Sequence, residues 1–239
     1  MNALRTMTLL EAKIVLRDKV GPLFAFLMPV MLLFVFGLTD RESSATDSAF
    51  LGSLCLALGI AMVAIYLVPS YMASYREHGI LRRLSVSPVP PSRLLIAQLL
   101  VNATAGILVV ALIVLAGHWG LGIPLPASPV MFVAVTLLMI AAMLSLGLIV
   151  AAVARNTKTA NLCGQLLFWP NMVLGGIWVK RSDMPGWMRV LGDHTPMGGG
   201  MQAVQHAWLG ESQSIGGLFA LALCTVLFGA LAARLFRWQ

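Results

Sequence analysis

Charge is what this sequence lacks. Leu94 to Ala154, a run of 61 residues, contains no Asp, Glu, Lys or Arg, and Ser48 to Ser74 contains none either. Charged residues are 10% of the chain, against roughly 25% in an ordinary soluble domain, and the mean hydropathy is +0.89. A water-soluble globular fold is excluded. Cysteine is scarce too: Cys55, Cys163 and Cys224 each stand in an apolar run with no CxxC or Cys/His spacing. That removes a disulfide framework and leaves packing roles. No GxxxxGK[ST] loop occurs, and Lys158-Thr159 lacks the glycines that would cradle a phosphate, so no ATP site is expected in this chain. The histidines are scattered, and the grouping of Asp193, His194 and His206 falls short of a ligand set, so no metal is expected.

What is present is a series of uncharged stretches long enough to cross the ~30 Å hydrocarbon core as helices. Helices are the form expected, because a backbone in hydrocarbon must satisfy its own N–H and C=O groups. Residues 2–19 form an amphipathic helix with Leu4, Met7, Leu10 and Ile14 at helical spacing. Its basic residues suit a membrane surface, and Glu11 and Asp18 interrupt the basic run that a signal peptide would need. Spans follow at about 20–39, 49–74, 94–116, 130–154, 159–179 and 214–233, with Gly117 to Pro129 breaking the long run in two. Pro170 should kink or break the fifth. The 180–213 segment reads as short helices outside, with Trp187 and Trp208 at headgroup depth.

The fold class is thus an all-α integral membrane protein, read as one domain over residues 1–239. Six spans put both termini, the 75–93 segment and the 155–158 turn on one side, with 12 of the 16 Lys and Arg residues. The positive-inside rule makes that side cytoplasmic. A net charge of +7 distributed this way fits membrane lipid and gives no reason to expect a nucleic acid.

The expected spans contain no ionisable carboxylate or base, which speaks against an ion-coupled secondary carrier. Their amides are Gln98 and Asn102, one turn apart, Asn161 and Gln165, one turn apart, and Asn171. Interhelical hydrogen bonding explains them, or a polar path for a substrate does.

With no motor inside the spans, weight falls on the charged island Tyr75-Arg-Glu-His-Gly-Ile-Leu-Arg-Arg-Leu84 and the prolines after it. Read as a short helix, it has Ile80, Leu81 and Leu84 as an apolar patch and Gly79 as a point of bending or close approach. Arg76-Glu-His-Gly79, Leu81-Arg-Arg-Leu84 and the prolines, in this topology, resemble the cytoplasmic E-x-G segment of ABC-2 type transporter permeases, which include drug-resistance and polysaccharide-export permeases. The likeness extends over the whole chain. Ile80 stands where many members have Thr, and His194-Thr-Pro196 where Asn-Pro is common.

The resemblance implies a permease subunit in a bacterial inner (cytoplasmic) membrane, paired with a second copy or a related permease and with separate ATP-binding subunits that carry ATP and Mg. It implies that Glu77, Gly79, Ile80, Leu81 and Leu84 couple the spans to the ATPase. A hydrophobic drug, antibiotic or lipid-like cargo suits the apolar spans, with a polysaccharide or glycolipid as the alternative.

Overall fold

The computed structural model describes residues 3–18, 21–39, 44–81, 92–178 and 183–235, and among these every regular element is a helix. They are α1 (Ala3–Arg17), α2 (Gly21–Thr39), α3 (Ala45–Ala61), a π-helical segment (Met62–Leu67), α4 (Val68–Glu77), α5 (Ser92–Leu121), α6 (Pro129–Val153), α7 (Thr157–Leu174), α8 (Gly186–Asp193), α9 (Pro196–Leu209) and α10 (Ile215–Leu235). Among the described residues, five continuous helices are long and apolar enough to cross a membrane: 21–39, 45–77, 93–121, 129–153 and 215–235. α7 occupies the place of the expected fifth span. It is an 18-residue helix diluted by Lys158, Asn161, Gln165, Pro170 and Asn171, and it falls outside that apolar set.

The second span starts at a capping box. Ser44 Oγ accepts from Asp47 N (3.2 Å) and Asp47 Oδ2 accepts from Ser44 N (3.2 Å), which satisfies two of the free N–H groups at a helix start. Ser44→Ala is expected to cost about 1 kcal/mol, read as faster amide exchange confined to the first turn of α3.

Further along, Pro69 supplies no N–H, and its ring would crowd the carbonyl four residues back. The chain answers by widening into the π segment, where Val68 N–H reaches back to Val63 O. The displaced carbonyls need room, and two glycines provide it. A Cβ at Gly147 would overlap Ala64 O, and one at Gly164 would lie 3.1 Å from Ile65 O. The 45–77 span is the centre of the bundle: 83% of its apolar 18-residue stretch is buried, whereas the corresponding stretches of 21–39 and 215–235 are 17% and 11% buried. α2 and α10 are therefore the outer helices.

The structure moves several expected boundaries. α5 continues to Leu121, because Gly117 and Gly120 serve packing: Cβ atoms there would meet Ile123 (3.3 Å) and Phe34 (2.6 Å) side chains. The stop comes at Gly122, with φ +70 and its N–H on His118 O. α7 runs through Pro170 and ends one turn later at Leu174. Trp208 does not lie at the surface: it is 6% exposed, stacks edge-on with Phe132 (5.3 Å) and donates to Pro124 O (2.8 Å). Trp187 is exposed. α9, capped by Thr195 on Gly198 N (3.0 Å), is packed against α6 and α3. α8 sits end-on to α7, so closely that a Cβ at Gly192 would overlap Leu174 O.

α1 splits its apolar stripe, with Met7 packed on the core and Leu10 and Ile14 outside. Glu11 and Val15 are buried, while Leu9, Leu10, Ile14 and Leu16 are exposed. The polar stripe faces the bundle because its hydrogen-bond partners are there, and the leucines are left for a lipid-like exterior.

Candidate functional site

The last two turns of α4 hold five polar side chains in seven residues, Tyr71, Ser74, Tyr75, Arg76 and Glu77, of which all but Ser74 reach other elements. Tyr71 and Tyr75, four apart, share a helix face. So do Glu11 and Asp18 of the α1 region, seven apart. The two faces meet as a ladder. Tyr75 OH donates to Glu11 Oε2 at 2.6 Å, and Tyr71 OH donates to Asp18 Oδ2 at 2.9 Å. Asp18 Oδ1 also accepts from Gly21 N at 3.3 Å, at the start of α2.

Behind the ladder, Gln98 donates to Glu11, and Asn102 Nδ2 donates to Gln98 Oε1 (3.0 Å) and Gln98 O (2.8 Å). All of Glu11, Gln98 and Asn102 are buried. Burial pushes the Glu11 carboxyl above the ordinary carboxylate range, against the pull of the hydrogen bonds from Tyr75 and Gln98. Asn102 Oδ1 is buried and has no hydrogen-bond partner among the described residues.

Arg76 and Glu77 point to the other side of α4, at the turn between α6 and α7. Arg76 Nη1 donates to Ala151 O at 2.6 Å and to Ala154 O, two carbonyls at the C-terminal end of α6. Glu77 accepts from Thr157 N (2.9 Å) and Thr157 Oγ1 (2.7 Å) at the first residue of α7. Each charge matches the helix end it touches: a cation on free carbonyls, a carboxylate on a free N–H. Ala73, Ala154 and Ala160 form a small buried cluster under the contact. Side chains this short let α4, the turn and α7 approach closely.

Gly79 has φ +65, and its N–H donates to Arg76 O at 3.0 Å. Among the described residues nothing lies within 4 Å of where its Cβ would be, and its positive φ makes the left-handed bend that ends α4. Of the expected docking face, Ile80 is 37% exposed but Leu81 is 2% exposed and belongs to the chain's own core. Leu81 faces inward because the bend at Gly79 folds the chain back on the bundle. Leu84 lies outside the described residues.

The five span amides do not converge. Gln98 and Asn102 join the Glu11 network. Asn161 and Gln165 are on an exposed face of α7, with Asn161 Oδ1 accepting from Ser70 Oγ (3.2 Å). Asn171 is buried and donates to Leu167 O (2.9 Å), and its Oδ1 has no partner among the described residues. A separate cleft of about 550 Å³ opens beside α4, lined by Phe24, Met62, Tyr66, Ser70 and Tyr71 with Asp18.

Sequence reasoning missed Tyr71, Tyr75, Arg76 as a capping group, and Thr157. The available signal was the pair of carboxylates seven apart in a basic helix, matched by two tyrosines four apart. Among the described residues, no group of three or more His, Cys, Asp or Glu could hold a metal.

A helical bundle with five strongly apolar long helices, one of them ending in a hydrogen-bonded polar cluster, defines a polytopic membrane protein. The profile of the ABC-2 type transporter family matches residues 2–209, and the chain belongs to that family. It is 29% identical over 147 residues to the inner membrane transport permease YhhJ of Escherichia coli (strain K12), a match covering 61% of this chain and 39% of that protein. The Shigella flexneri permease of the same name matches with the same figures. The matched stretch is thus well under half of those relatives' length. Permeases of this family work with ATP-binding subunits.

Proposed function

We propose that this chain is the membrane subunit of an ATP-driven exporter in a bacterial inner membrane, with six spans (α7 being the fifth) and both termini cytoplasmic. The observation that carries it is the wiring at the end of α4: one helix end is hydrogen-bonded to α1, α5 and the α6–α7 turn through Tyr71, Tyr75, Arg76 and Glu77. A displacement applied just beyond Gly79 reaches all of them, as a transport subunit driven by separate ATP-binding subunits requires. A second copy or a related permease completes the transport path. The cargo is a hydrophobic or amphiphilic small molecule, in keeping with the largely apolar cleft lined by Phe24, Met62 and Tyr66.

Inverted membrane vesicles containing the chain and its cognate ATP-binding subunits are expected to accumulate a lipophilic fluorescent probe when ATP is added. Collapse of the proton and sodium gradients should leave that uptake in place. Uptake that follows an ionophore instead of ATP would point to a secondary carrier and end the proposal.

A further inference from the structure

We infer that Arg76 and Glu77 are positioning residues forming a two-ended clamp, which makes the end of α4, the end of α6 and the start of α7 move as one body. The inference rests on the exporter proposal and adds the element through which motion leaves the input segment. Adjacent residues on a helix project about 100° apart, so one dipeptide can take hold of both sides of a tight turn. Arg76 holds the α6 side by the Ala151 and Ala154 carbonyls. Glu77 holds the α7 side by the Thr157 N–H and hydroxyl. Between the two grips only Ala154, Arg155 and Asn156 separate the helices, and Ala154 is fully buried against Ala73 of α4 and Ala160 of α7.

The turn also carries its own restraint. Asn156 Oδ1 accepts from Thr159 N (2.7 Å) and Thr159 Oγ1 (2.8 Å), so the first turn of α7 is held from both sides. Sliding α4 past this turn would strip charge-assisted hydrogen bonds from two helix ends at once, and such bonds are roughly twice as strong as neutral ones. Push on the segment after Gly79 is therefore shared with α7, whose exposed face carries Asn161, Gln165 and Trp169. Arg76 and Glu77 deliver the motion; neither is required to touch cargo or nucleotide.

The test combines a melting cycle on the permease alone with a coupling measurement on the assembled exporter. Glu77→Ala, Thr157→Val and the double variant are melted in detergent; the clamp predicts that the double loses no more Tm than Glu77→Ala, since both remove one contact. With ATP-binding subunits present, Thr157→Val should lower probe exported per ATP several-fold and Glu77→Ala about ten-fold. Thr157→Ser, which keeps the hydroxyl, should match the wild type. Spin labels at positions 80 and 155, in a cysteine-free background, should keep one distance with and without trapped ATP.

Additive Tm losses overturn the clamp. So does a label distance that changes with nucleotide, or an export-to-ATP ratio untouched in variants that merely melt earlier. If the wild type neither exports nor responds to ATP, the exporter proposal falls, and the melting cycle still decides the clamp.

Discussion

Gly147→Leu is expected to yield no monodisperse protein. The site is where α6 passes the π segment, and a Cβ there would lie 2.8 Å from the Ala64 carbonyl carbon and closer still to its oxygen. The obstacle is backbone, and that backbone is fixed by the widened hydrogen-bonding that Pro69 imposes. It cannot turn away as a side chain would. Overpacking a core costs roughly 1–3 kcal/mol when side chains can yield; displacing two packed helices belongs to the exceptional class above about 4 kcal/mol. Gly106 is the control. The nearest atoms to a Cβ there belong to the Ile140 side chain, 3.4 Å away, so Gly106→Ala should be neutral or slightly stabilising through helix propensity. Size-exclusion profiles and Tm values in one detergent compare the two. A Gly147→Leu protein with wild-type profile and Tm would show that α6 and the π segment are not in contact as described.

The second large effect is expected at Glu11. Reversing its charge with Glu11→Lys would leave the Gln98 amide without an acceptor and put a cation in the buried site. Breaking a buried polar charge site in this way costs about 3–5 kcal/mol. Glu11→Gln should behave in the opposite sense, because an amide oxygen can still accept from Tyr75 and Gln98 and no charge need be buried. The sign of the pH dependence follows from burial. The folded state raises the Glu11 pKa above 4.5, so folding favours the protonated form. Its contribution is fully present below the unfolded value and is lost as pH rises through the raised folded value. Melting both proteins between about pH 4 and about pH 8, a range that brackets ordinary carboxylate titration, should show Glu11→Gln gaining on the wild type as pH rises. A constant difference would mean that Glu11 is not desolvated by folding.

The apolar helices were legible from the sequence because their signal is an absence: where no charge occurs for over 20 residues, only a helix in hydrocarbon fits. α7 was legible as a helix, but its composition, with Lys158, Asn161 and Gln165, does not distinguish a span from a helix that covers one. The site was half legible. Glu77 and Gly79 stood out as a charge and a bend in an apolar chain, and the structure gives each a definite local role. The partners of Glu77 and Tyr75 were not readable, since Thr157 lies 80 residues from Glu77 and Glu11 lies 64 residues from Tyr75. Periodicity reports faces, and no periodicity reports which face another element will meet. The same holds for α1: its periodicity showed the stripe of Leu4, Met7, Leu10 and Ile14, and could not show that Glu11 and Asp18 find hydrogen-bond partners on α4.

On the six-span reading, the length of α7 sets a local membrane thickness. An 18-residue helix rises about 27 Å, part of it spent on Thr157 and Lys158, against a hydrocarbon layer of ~30 Å. Bilayer thinning would ordinarily absorb such a mismatch. Here α8 abuts the far end of α7 through Gly192 and Leu174, so protein fills the missing depth. The dielectric barrier beside α7 is consequently shortened by a built-in step, and a polar group carried along that helix would spend less of its path in oil than along any other.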